Sequence, residues 1–120
     1  MLDSALLCLT LNLYHEARGE SILGQFAVVQ VVRNRAKYDP DKVCRVVFAP
    51  KQFSWTIAVP GDDPQQFDRL LNIAHLAWQS QDITYGATHY HKITVKPYWT
   101  HKMKKTVRIG NHQFYCCERK

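Results

Sequence analysis

No cysteine pair in this chain has the spacing of a zinc site or a CxxC redox motif, no stretch is repetitive or low in complexity, and none is a linker. The N-terminus has neither a basic segment ahead of its apolar run nor a small-residue cleavage site, and the run leads straight into charged residues. A core helix is expected there, and a signal peptide or membrane span is not. Acidic residues are few, 10 against 16 Lys and Arg, giving a net charge of +6. Such a balance favours polyanionic partners: nucleic acid, acidic membrane surfaces or an anionic cell-wall polymer. With 120 residues there is material for one core and not two, so residues 1–120 are expected to form a single domain. Of the four cysteines, Cys8 and Cys44 lie in apolar runs and are expected in the core, and Cys116 and Cys117 are adjacent. Free thiols in a reducing compartment are the expectation for all four.

The apolar pattern divides into helices and then short strands. Leu6, Leu7, Leu9, Leu11 and Leu13 mark a first helix, with Asp3 or Ser4 as N-cap and Gly19 as the left-handed residue that follows it. Ser21 caps a second helix running to Arg35, apolar nearly all round and therefore central. Asp39-Pro40-Asp41 opens a short third segment, and Asp63 with Pro64 starts a fourth helix whose Phe67, Leu70, Leu71, Ala74 and Trp78 form one buried stripe. From Asp82 onward, four short aromatic and β-branched runs predict strands: Thr88–His91, Pro97–Thr100, Thr106–Ile109 and Gln113–Tyr115. Gly110-Asn111 suits a tight hairpin between the last two. The class is α+β, with about four helices and a short antiparallel sheet or hairpin near the C-terminus.

The richest chemistry lies where the first helix ends, in Tyr14-His15-Glu16-Ala17-Arg18-Gly19-Glu20. Glu16 falls in the last turn, where unpaired carbonyls carry about half a negative charge. A partly buried carboxylate there favours its neutral form, so its pKa should rise, as a general acid near neutral pH requires. Glu20, past the glycine, meets no such penalty. The duller reading makes both glutamates ordinary polar residues at a helix end.

Taken with Gly24-Gln25, Val31-Val32-Arg33-Asn34-Arg35, Gln52-Phe53-Ser54-Trp55, Ala87-Thr88-His89-Tyr90-His91 and Ile109–Tyr115, that motif resembles the SleB/CwlJ cell wall hydrolases, the spore-cortex-lytic family that also supplies phage endolysins. The match runs in order along nearly the whole chain. It implies a small lysozyme-like fold and cleavage of the bond between muramic acid and glucosamine in peptidoglycan, by lytic transglycosylation in the spore enzymes. It implies Glu16 as the catalytic acid, Gln52, Phe53, Ser54, Trp55, His89, Tyr90 and His91 as lining of the glycan cleft, and no metal or other cofactor. Unlike the longer spore enzymes, this chain shows no export signal or peptidoglycan-binding module before the domain. A phage endolysin is therefore expected, made in the host cytoplasm and reaching the wall through a holin, as a monomer that neither inserts in membranes nor binds nucleic acid.

Hydrolytic glycosidases place a second carboxylate opposite the acid, whereas in lytic transglycosylation the sugar's own 6-hydroxyl attacks and one residue serves as acid and then base. Glu20 is close enough in sequence to be that second carboxylate, but two carboxylates within one turn tend to lie on the same side of the sugar. A supporting role is favoured for it, pairing with Arg18 or orienting the next helix, and His15 and Arg18 are read as supporting too. His89 and His91, alternating on a strand, should face one side, with one of them bonded to Glu16 or substrate. Three alternatives remain: a hydrolytic muramidase, a zinc amidase using His15, His89, His91 or His112, and a basic nucleic-acid-binding module.

Overall fold

The computed structural model describes residues 3–49 and 63–119. Among them run helices α1 (Asp3–Ala17), α2 (Ile22–Arg35), α3 (Val43–Val47) and α4 (Pro64–Gln79), then strands β1 (His89–Lys92), β2 (Met103–Ile109) and β3 (His112–Glu118). The strands form one antiparallel sheet in the order β1-β3-β2. This is the expected α+β arrangement of four helices followed by a C-terminal sheet.

Helix α2 is the axis of the fold. Val28, Val29 and Val32 face α1, α3 and α4 in one apolar cluster, while Ala27 and Val31 meet Ala87 and Phe114 beneath the sheet in a second. Its start is set by Ser21, whose hydroxyl accepts from the Gly24 amide at 3.2 Å. Of the stripe expected on α4, Leu70 and Ala74 are buried and Trp78 packs against the helical cluster, Phe67 and Leu71 are only half-buried, and Ile73 and Ala77 complete the buried face. Asp63 caps α4 by accepting from the Gln66 amide at 3.0 Å.

Three features differ from the sequence expectation. The Pro97–Thr100 run is not a strand: residues Tyr98–Lys102 form a 3₁₀ turn. Proline fixes the entry angle, and the Thr100 amide and hydroxyl both donate to the Pro97 carbonyl, at 3.2 and 3.0 Å. Gly19 does not take a left-handed conformation; among the described glycines only Gly86 and Gly110 do. The carbonyls ending α1 are satisfied instead by the Gln25 side-chain amide, which donates to Ala17 at 3.1 Å and Arg18 at 3.4 Å. The third correction concerns the thiols. Helix α3 lies across the first half of α1 and brings the Cα atoms of Cys8 and Cys44 within 5.3 Å, and the two are joined in a disulfide. The sulfurs of Cys116 and Cys117 are set against each other, and no described cysteine is free.

Candidate active site

Glu16 sits in the last turn of α1, half-buried, facing the sheet. The hydroxyl of Tyr90 on β1 donates to its Oε1 at 3.4 Å. Burial raises the Glu16 carboxyl above the ordinary glutamate range, outweighing the Tyr90 hydrogen bond and the Lys92 charge that favour the anion. The direction is the expected one, with desolvation as its main cause. Tyr90 is held edge-on to His112 at 5.0 Å and tilted against Phe114 at 5.6 Å. Burial, with the neighbouring Glu16, pushes its phenol well above the ordinary tyrosine value, so it remains a proton donor at neutral pH.

Glu20 does a different job. Its Oε1 accepts from the Asn111 amide at 3.2 Å and its Oε2 from the Asn111 side chain at 3.3 Å, tying the α1–α2 loop to the β2–β3 hairpin. The hairpin turn fits because Gly110 has φ of +56°, and a Cβ there would stand 3.0 Å from Glu20 Oε1. His112 Nδ1 lies 3.8 Å from the same oxygen. Burial, joined by the charges of Lys92 and His91, nonetheless lowers the imidazole against the pull of Glu20, so His112 stands neutral beside it at pH 7 and the Asn111 donors are the anchor. Arg18, the partner suggested for Glu20, instead lies over the Tyr14 ring at 4.5 Å and donates to the Tyr14 carbonyl at 3.4 Å. His15 meets Tyr14 edge-on at 5.2 Å.

His89 and His91 do share a face, but it is the outer face of the sheet, opposite Tyr90. They stand 5.3 and 5.9 Å from the ring of Trp99, and His91 Nε2 is 2.9 Å from the Tyr115 hydroxyl. Burial, and then the Arg35 charge, lower the His89 imidazole. The bond to Glu16 expected from a histidine therefore comes from the tyrosine between them. Gln52, Phe53, Ser54 and Trp55 lie outside the described residues. Among the described residues no group of three or more His, Cys, Asp and Glu is gathered to hold a metal ion, and no helix is long and apolar enough to cross a membrane. Sequence reasoning missed Lys92 and Trp99; strand alternation from Tyr90 would have put Lys92 on the Glu16 side.

A four-helix body closed by a three-stranded antiparallel sheet, with the half-buried Glu16 between them, is a lysozyme-like fold. A family model described as cell wall hydrolase matches residues 19–115, and the chain belongs to that family. It is 37% identical over 105 residues to the spore cortex-lytic enzyme of Halalkalibacterium halodurans, an alignment that takes in 84% of this chain and 31% of that enzyme. The chain thus spans less than a third of that relative's length. The catalytic domain of the germination-specific lytic transglycosylase SleB from Bacillus anthracis matches with a TM-score of 0.77 and 25% identity, covering 96% of both chains. The catalytic domain of Bacillus cereus SleB shares the fold, with a TM-score of 0.76, 24% identity, and coverage of 95% of this chain and 91% of that one. Glu16 stands just ahead of the span matched by the family model.

Proposed function

We propose that this domain cleaves the glycan strand of peptidoglycan between muramic acid and glucosamine by lytic transglycosylation, with Glu16 as the single acid and base. The observation that carries the reading is Glu16, raised by burial and held by the Tyr90 hydroxyl at 3.4 Å, while the other carboxylate of the motif, Glu20, is engaged by Asn111. Glu16 gives its proton to the glycosidic oxygen, and the bond to the muramic C1 breaks through an oxocarbenium-like state. The muramic 6-hydroxyl then attacks C1 and returns a proton to Glu16, leaving a 1,6-anhydro end without consuming water. Tyr90 fixes the carboxyl's orientation and remains a donor to it in both protonation states. Glu20, engaged by Asn111, holds the hairpin that carries β3 under Tyr90.

Resemblance assigns Gln52, Phe53, Ser54 and Trp55 to the sugar rings and hydroxyls, since apolar sugar faces stack on aromatic rings and amides hold N-acetyl groups. Delivery by a holin, as for a phage endolysin, is the companion proposal, tested by whether lysis of an expressing host depends on a co-expressed holin. Mass spectrometry of digested peptidoglycan tests the reaction. Products lighter by one water, with anhydromuramic ends, are expected; reducing muramic ends would mean a hydrolytic muramidase, and free stem peptides an amidase.

A further inference from the structure

On the side of the sheet away from Glu16, a cavity of about 510 Å³ opens between β1, β2, β3 and the 3₁₀ turn. Lys96, Lys105, Arg108 and Arg119 converge on it together with His91 and His101. The four permanent cations are exposed, and none of them has a carboxylate within 4.0 Å among the described residues. A solvated basic face would scatter its charges; this one gathers them around a concave space whose remaining wall includes the apolar groups of Ile93, Val95 and Tyr115. Adjacent positions of β1 separate it from the catalytic side: Tyr90 enters the core, while His91 lines the cavity.

We propose that this outer face is a second binding site, which takes a linear phosphodiester polymer with polyol units. Two guanidinium forks and two ammonium groups match successive phosphates, which one stem-peptide carboxylate would leave largely unanswered. The exposed Ile93 and Val95 suit the carbon backbone between those phosphates. The charges and the cavity stand on their own geometry; the choice of a wall-borne polymer rests on the reading of this chain as a wall-cleaving domain.

Fluorescence anisotropy with labelled poly(glycerol phosphate) tests the site on the full chain carrying Glu16→Gln, so that cleavage does not intrude. The polymer should bind, more weakly as salt rises. Combined Lys96→Ala, Arg108→Ala and Arg119→Ala should weaken it about tenfold or more, while Lys42→Ala, on the helical side, changes it less than twofold. Lys96→Glu alone, in the loop after β1, provides the same test if the triple variant fails to fold. Absence of binding, equal loss in Lys42→Ala, or equal or tighter binding of poly-glutamate or oligo-deoxythymidine would overturn the proposal. Since the assay needs no turnover, murein release that survives Glu16→Gln would remove the catalytic reading and leave this site standing.

Discussion

Replacing Glu20 with alanine separates the two carboxylates of the helix-end motif. It removes the acceptor of two hydrogen bonds, from the Asn111 amide at 3.2 Å and its side chain at 3.3 Å. At roughly 0.5–1.5 kcal/mol apiece the loss is about 1–3 kcal/mol, kept moderate because Asn111 is exposed and its donors can turn to water. For a 120-residue domain the unfolding entropy near the midpoint is about 0.25 kcal/mol/K, so Tm should fall by about 4–12 °C. The assay pairs thermal unfolding, followed by circular dichroism, with release of soluble murein measured well below the lowered midpoint. Cleavage per folded molecule should stay within severalfold of the parent protein. An unchanged Tm with murein release down a thousandfold would refute the reasoning, because it would make Glu20 a reacting carboxylate opposite Glu16.

Asp82 should govern acid stability. Burial alone would raise its carboxyl, but hydrogen bonds from the Thr84 hydroxyl and amide, the Gly86 amide and Asn34 outweigh it and hold it below the ordinary aspartate range. A depressed carboxyl stabilises the fold above its unfolded value, and that contribution goes as pH falls through the folded one. Asp82→Ala should therefore destabilise the fold at pH 7, by about 1 kcal/mol once solvent screening of this half-exposed carboxylate is allowed for, with the gap to the parent narrowing below about pH 4 in denaturant titrations. Reducing the Cys8–Cys44 bridge, which closes a loop of 36 residues, should cost up to about 4 kcal/mol, read as a lower Tm in reductant that Cys8→Ser abolishes. For Glu16 the linkage runs the other way. Its raised carboxyl makes the folded state bind the extra proton, so its contribution to stability falls as pH rises through the folded value. The same group should set the alkaline limb of kcat/KM, displaced above the ordinary glutamate range, and a limb at that ordinary value would contradict its burial.

Periodicity carried much of the fold. The all-round apolar α2, the Ser21 and Asp63 caps and the Gly110-Asn111 hairpin are local signals, and each is realised, as is the α4 stripe at Leu70, Ala74 and Trp78. Less legible was the polar joinery between elements far apart in the chain. Gln30 and Arg33, buried on an apolar helix, donate to carbonyls at and just past the end of α4, Gln30 to Ala77 at 3.4 Å and Gln81 at 2.9 Å, Arg33 to Trp78 at 2.7 Å and Ser80 at 2.8 Å. Asn34 donates to Ala87 at 2.8 Å and so holds the approach to β1. Nothing in the local pattern of α2 names those partners. The Pro97–Thr100 run misled because its aromatic and β-branched residues favour strands, while the proline and a threonine hydroxyl settle a tight turn. At the site, the direction of the Glu16 shift was legible, though its main cause is burial and not the helix-end carbonyls; the tyrosine that holds it was not legible, because strand phase relative to α1 is a tertiary property. Cys8 and Cys44 meet only because α3 folds back across α1.

The most direct test of the account is murein release by Glu16→Gln, measured alongside its thermal unfolding at neutral pH. Loss of soluble murein to the uncatalysed level is predicted, with a Tm equal to or slightly above that of the parent, since a carboxyl whose charge is disfavoured by burial has been replaced by a neutral group. A folded Glu16→Gln protein that still lyses murein at near the parent rate would contradict it.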